Sequence, residues 1–326
     1  MIRRRTLGGL GALTASLLSS GGRAQTPRPE KPLRVLIGFI AGGGTDFAAR
    51  AIARRLEQQL SQRITMENRS GDAGALPGLV VKNAPGDGST LAFLASTTLV
   101  SRLSSDNFPF DPIADLAPIT LAGTWPIAFA VSPKLGIRTF PEYLAWLEGG
   151  DLAKMRLGNT ASDTFIQAVN LMVGRAMGVT FEPVDYRGAA PLVNDLHDVR
   201  LPAAASGLVS LLPHHRGGRV RLLFTTAPQR LAVAPDIPTA RELGYPGLEM
   251  LEWFAFFASR RTPPDILAGL HKALAAALAD RVLAQDLAQI GMTVESSTPE
   301  QLVALIGAHQ AAWRERLRIV GMTLLR

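Results

Sequence analysis

Apolar and polar positions along this chain keep two rhythms: short continuous apolar runs, and apolar residues spaced four apart. The run at 33–40 reads as a buried strand, and Ala48, Ile52, Leu56 and Leu60 after it lie on one face of a helix. Residues 63–67 read as a second strand, 74–83 as a helix of small residues and 90–95 as a third strand, with Pro85-Gly86-Asp87-Gly88 as the turn before it. Strand, helix, strand, helix, strand predicts a parallel sheet with helices packed on its faces.

The middle of the chain repeats the theme. Strands are predicted at 127–131 and 156–158 around a helix at 141–148. They are followed by a helix at 170–177, a strand at 180–186, a helix at 190–196 and a strand at 219–225. A loop marked by Pro235 and Pro238 precedes a strand at 253–258. Ile266, Leu270, Leu274 and Leu278 then share a helix face, and Thr298-Pro299-Glu300-Gln301 has the form of a capping box with proline at the first helical position.

The first 24 residues follow neither rhythm. Arg3, Arg4 and Arg5 precede an apolar stretch at 7–18, and Gly22-Arg23-Ala24 offers a small-residue cleavage site before Gln25. The apolar stretch covers about half a bilayer, so residues 1–24 read as a signal peptide and the mature protein as periplasmic. The paired arginines before Thr6-Leu7 leave Sec and twin-arginine export both open. The segment also alters the charge: its four arginines and no acid account for four of the seven net positive charges, leaving +3. With no basic block in the remainder, nucleic acid is not an expected partner. The absence of cysteine excludes a disulfide framework, a thiolate-held metal and a thiol nucleophile.

The strongest local signal is the corner Ala41-Gly42-Gly43-Gly44-Thr45-Asp46 between the first strand and the first helix. Glycines let backbone N–H groups approach a ligand, and the helix N-terminus favours negative charge. The corner therefore suits a small anion, or else is a tight connection alone. A P-loop would need a lysine, which is missing here. A dinucleotide fingerprint would need glycine where Phe47 stands, although Glu67 lies at the ribose-binding distance. A dinucleotide-dependent oxidoreductase is thus the alternative reading. No Gly-x-Ser-x-Gly elbow occurs, and His214-His215, between Pro213 and Arg216-Gly217-Gly218, reads as a solvated turn. No cofactor and no metal site are expected.

From Leu33 onward the chain resembles the substrate-binding receptors of tripartite tricarboxylate transporters, the Bug-type receptors. The resemblance is carried by Phe39-Ile40-Ala41-Gly42-Gly43-Gly44-Thr45-Asp46 with Ala49-Arg50, Glu67-Asn68-Arg69 with Gly71 and Gly74, and Asp87-Gly88-Ser89-Thr90-Leu91. Further along it rests on Phe110-Asp111-Pro112 with Asp115-Leu116-Ala117-Pro118, Tyr186-Arg187-Gly188-Ala189-Ala190, and Pro235-Asp236-Ile237-Pro238-Thr239 with Glu242-Leu243-Gly244. It implies an α/β, type II periplasmic-binding-protein fold: two α/β lobes joined by crossing hinge strands, with a ligand cleft between them. Lobe 1 would comprise 27–125 plus 250–326, and lobe 2 would comprise 126–249. The implied function is capture, by hinge closure and without catalysis, of a small carboxylate or an amino acid. A monomer would deliver it to membrane permease subunits, or serve as a permease-less ligand sensor. Phe39, Gly43, Gly44, Thr45 and Asp46 would form one wall, and Ser96 and Thr97 the floor. Thr160, Ala161, Ser162, Asp163, Tyr186, Gly188, Ala189 and Ser206 would come from the second lobe.

Departures from the family pattern fall in that second lobe. Asp163 replaces a usual glycine, Gln167 a usual histidine and Ser206 a common aspartate, while His197-Asp198-Val199-Arg200 lacks glycines. They imply that the ligand class has drifted. Asp163 reads either as a helix N-cap or as the counter-ion of a ligand ammonium. Bulk at Gly43 is expected to abolish binding. Asp163→Asn is expected to change which members of a carboxylate and amino-acid panel bind; an unchanged panel would remove the counter-ion role.

Overall fold

The computed structural model describes residues 31–148, 151–160 and 164–325. The export segment at 1–24, and Ala161, Ser162 and Asp163, lie outside the described residues.

Strand β1 (Leu33–Ile37) leads into helix α1 (Gly44–Leu60), strand β2 (Ile64–Asn68), helix α2 (Leu76–Asn83), strand β3 (Thr90–Ala95) and the short helix α3 (Ser96–Ser101). The crossovers lay β2 and β3 parallel to β1 on its two sides. Strand β4 (Leu116–Val131) is sixteen residues long and carries the chain out of this sheet. Helix α4 (Phe140–Leu147), strand β5 (Arg156–Asn159), helix α5 (Thr164–Met177), strand β6 (Glu182–Asp185) and helix α6 (Ala189–His197) follow. Strand β7 (Ala203–Gly207), helix α7 (Leu208–Arg216) and strand β8 (Arg221–Thr225) complete the middle. The chain returns through β9 (Leu251–Ser259) and ends in α8 (Pro264–Leu278), α9 (Arg281–Ala288) and α10 (Pro299–Ile319).

Two groups of parallel strands result, and β4 joins them. The first runs β2-β1-β3, with β9 antiparallel to β3 and β4 antiparallel to β9. In the second, residues 127–131 of β4 pair antiparallel with β7, which continues in parallel to β5 and β6, and β8 pairs the other edge of β4. Both faces of the inner strands are covered, so those strands are apolar nearly throughout, while the edge strands β2 and β6 are partly exposed. Along β9, Phe254, Phe256 and Ala258 face the core shared with α1, α8 and α9, while Trp253, Ala255 and Phe257 face the opposite one. Along β4, Ile127, Phe129 and Val131 enter one core of the second sheet, and Ala128 and Ala130 the other.

Some expected elements change. The strand expected at 127–131 is the last third of β4, whose earlier part pairs with β9 through two register shifts. His214 and His215 lie in the last turn of α7, partly buried, rather than in a solvated turn; burial lowers the pKa of each. The capping box at Thr298 and Gln301 is present as expected. Helix α10 packs Leu302 and Ile306 on the first sheet, and Trp313 and Leu317 on the core around α4 and α5. Its last turns therefore belong by packing with residues 126–249.

Thr226 binds the place where β4 and β9 cross between sheets. Its hydroxyl accepts the Ile127 N–H at 2.9 Å and donates to the Met250 carbonyl at 2.7 Å. Its own N–H donates to Ile127, and Met250 N–H donates to the Thr226 carbonyl. Thr226→Val keeps the shape but strands a buried donor and a buried acceptor. It is expected to cost about 2–4 kcal/mol in urea unfolding; a loss below about 0.5 kcal/mol would show that the hydroxyl does not hold the crossing.

Candidate functional site

Strands β1 and β3 of the first sheet and β5, β6 and β7 of the second all end where the two sheets face each other. This is where ligands bind in open α/β sheets. The corner after β1 is the most constrained segment there. Gly42 takes φ of 80°, a conformation that favours glycine, and Gly43 caps α1 through its carbonyl, which accepts from Phe47 N–H. The first-turn N–H groups of Gly44, Thr45 and Asp46 have no acceptor within the helix.

The Asp46 carboxylate turns back onto its own corner. One oxygen accepts from Gly42 N–H at 2.9 Å; the other accepts from Arg50 Nε at 2.8 Å and Asn68 Nδ2 at 2.9 Å. Asn68 also donates to the Phe39 carbonyl and accepts from Arg50 Nη2. Burial alone would raise the Asp46 pKa, but the hydrogen bonds from Arg50, Gly42 and Asn68 outweigh it and hold the carboxyl below its ordinary value. The Asp46 side chain therefore fixes the corner, while its N–H has no acceptor within the helix. Arg50 and Asn68 were not expected as site residues. Their sequence signal was only their place in the family motif.

The floor is also rearranged. Ser96, fully buried, accepts Trp253 N–H at 3.1 Å, so its hydroxyl holds β9. The Thr97 and Thr98 hydroxyls are buried without a protein partner. Thr98 lies against Gly74, where an added Cβ would stand 2.7 Å from its Oγ1 and 3.2 Å from the Phe39 ring. Beneath them His309 packs edge-on to Trp253, its pKa lowered to about 4 by burial and then by Arg316.

In the second sheet, the Thr160 and Ser206 hydroxyls are 2.7 Å apart and satisfy each other. Tyr186 turns away: its hydroxyl donates to Asp195 at 2.9 Å, and burial together with that carboxylate pushes its pKa up to about 12. Gly188 caps α6 with φ of 100°, and Ala189 is the first helical residue. Gln167 is exposed and lines an open pocket with Leu171, Arg175 and Phe181, apart from Thr160 and Ser206.

The two rims touch. A Cβ on Gly44 would stand 2.5 Å from Val209 of α7, and one on Gly188 would stand 2.7 Å from Ile40. The expected sensitivity of Gly43 shifts accordingly. A Cβ there would meet only the Ile40 carbonyl oxygen at 3.4 Å and Cγ1 at 3.8 Å. Among the described residues no group of His, Cys, Asp and Glu is arranged to hold a metal, and no helix is long and apolar enough to cross a membrane.

Helix starts that face each other across the ends of two α/β sheets are the arrangement of a solute-binding protein. Residues 48–322 match the family described as tripartite tricarboxylate transporter family receptor, and the chain belongs to that family. It is similar to protein BugT of Bordetella pertussis, 28% identical over 91% of each chain. Two solved Rhodopseudomonas palustris proteins share its fold. MatC with bound malate is 26% identical with a TM-score of 0.80, over 89% of this chain and 99% of its own. A protein with adipate is 26% identical with a TM-score of 0.84, over 90% and 99%. The fold is thus the periplasmic-binding-protein fold expected from the sequence, and the family consists of periplasmic receptors.

Gly44→Leu is expected to weaken ligand binding by about tenfold or more in calorimetric titration, because the rims cannot approach, while Gly43→Ala stays within about threefold. The reverse order would contradict the contact with Val209.

Proposed function

We propose that the mature protein, exported by residues 1–24, captures a small carboxylate as a monomer and presents it to the permease subunits of a tripartite transporter. The lobes are residues 27–125 with 250–326, and 126–249, with the end of α10 packed on the second. The observation that carries the reading is the set of first-turn N–H groups at Gly44, Thr45 and Asp46, held in place by an inward-turned carboxylate.

Backbone donors at a helix start bind an anion without reorganising, and closing the lobes excludes the water that competes for them. The buried Thr97 hydroxyl supplies a further donor at the floor, and the α6 start at Gly188 and Ala189 brings a second positive helix end to the opposite rim. Closure is bending of β4 and β9 at the crossing bound by Thr226. Malate in MatC and adipate in its relative support a carboxylate as the ligand class.

The test is a thermal-shift screen of protein beginning at Gln25 against carboxylates, amino acids and nicotinamide-type compounds. A binder present at about one hundred times its Kd stabilises by about 2.7 kcal/mol, a readily measured rise in Tm. A carboxylate or amino-acid hit is the expected result. A shift with dinucleotides alone would overturn the proposal.

A further inference from the structure

A cavity of about 480 Å³ lies between α5, the edge strand β6 and Val320, the residue that follows α10. Small-molecule sites occupy about 300–1,000 Å³, mostly apolar with a few placed polar groups. Leu171, Val179, Phe181, Pro183 and Val320 give this cavity apolar walls. Its lining takes in none of the α1 corner, the floor at Ser96 and Thr97, or the starts of α6 and α7, so it is distinct from the cleft.

The cavity stays open because of where its walls come from. Residues four apart on α5 share a face, and that face carries Gln167, Leu171 and Arg175. Leu171, in mid-helix, is 44% exposed, a large apolar side chain left uncovered by the fold. β6 ends its sheet, so no further described strand lies beyond it.

Two polar groups punctuate these walls. Asn170, 6% exposed, donates to Asn159 at 2.9 Å, and its amide oxygen has no partner among the described residues. Arg175 is the one charged residue in the lining, which contains no acid. Its Nη1 donates at 2.6 Å to the Ile319 carbonyl at the end of α10, and it forms no ion pair with a described residue. That bond holds the guanidinium at the cavity with further N–H donors of its planar fork unspent, the geometry that grips a carboxylate. A peptide strand is a poorer occupant, since β6 is four residues long and Pro183 within it has no N–H to pair.

We infer that this cavity is a second ligand site, separate from the cleft, for an aromatic monocarboxylate: ring against Leu171, Phe181 and Pro183, carboxylate on Arg175. The inference goes beyond the capture reading and does not depend on it.

Titration of the ¹⁵N-labelled full mature chain with 2-naphthoate and with its neutral counterpart 2-naphthylmethanol tests it. The acid is expected to shift amides within residues 167–183 saturably, with a Kd below about 1 mM, and the alcohol to bind there at least about fivefold more weakly. Arg175→Gln, which keeps a side-chain donor for Ile319, should weaken the acid about tenfold and bring it to the level of the alcohol. Leu171→Asp sets a like charge at the exposed rim and should weaken the acid similarly with Arg175 intact. The inference is overturned if about 5 mM naphthoate leaves residues 167–183 unmoved, if shifts are confined to the cleft segments, or if the alcohol binds as tightly as the acid. It is equally overturned if folded Arg175→Gln binds the acid as the wild type does; should that variant fail to fold, the same result in Leu171→Asp decides. None of these outcomes touches the cleft, so the capture reading stands or falls separately.

Discussion

An acid in the first turn of a helix ordinarily serves as that helix's own anion. Asp46 is instead turned back onto the Gly42 N–H and tied to Arg50 and Asn68, and the rest of the site depends on this arrangement. It binds three segments at one point: the loop after β1, the first turns of α1 and the end of β2. With the loop held, the N–H groups of Gly44, Thr45 and Asp46 stay aligned and unspent, and the positive end of α1 is left for a ligand. A flexible glycine corner would lose ordering entropy on binding; a braced one has lost it already on folding.

The second constraint is that one strand serves both sheets. β4 must be straight enough to pair with β9 and then with β7 and β8, and Thr226 joins the crossing by hydrogen bonds on both sides. In the proposed capture, motion between the lobes would concentrate at this crossing. α10 reaches over the same region, anchored by Leu302 on one side and Trp313 on the other, so it restrains the bend. In the proposed capture, structure leads to function through these two features: a braced corner for an anion on one lobe and a narrow crossing at which the other lobe would close onto it.

The parts legible in the sequence carry a period or a cap. β1 with α1, the apolar β9 and the capping box of α10 could be read directly. β7 could not, because Ala203, Ala204 and Ala205 lack the branched side chains that mark strands; alanine is there because the strand lies between close neighbours. Most of β4 was hidden by Pro118 and Gly123, which sit at its irregular pairings, and by Pro126, the last residue paired with β9. α3 shows no amphipathic pattern because every residue in it is buried, and Pro213 and the glycines after it disguised α7. Within the site, the segments were legible and the side-chain directions were not. Asp46, Ser96 and Tyr186 are satisfied by Asn68, Trp253 and Asp195, partners brought near only by folding.

The central claim is that a ligand carboxylate is bound by the backbone at the start of α1. An amide-resolved NMR titration of ¹⁵N-labelled mature protein with a carboxylate that stabilises it tests this most directly. The Gly44, Thr45 and Asp46 amides are expected to show the largest changes, moving downfield as they gain an acceptor. The Gly42 amide, already bonded to Asp46, should move little. Large shifts confined to other segments, with these three amides unmoved in the saturated protein, would contradict it.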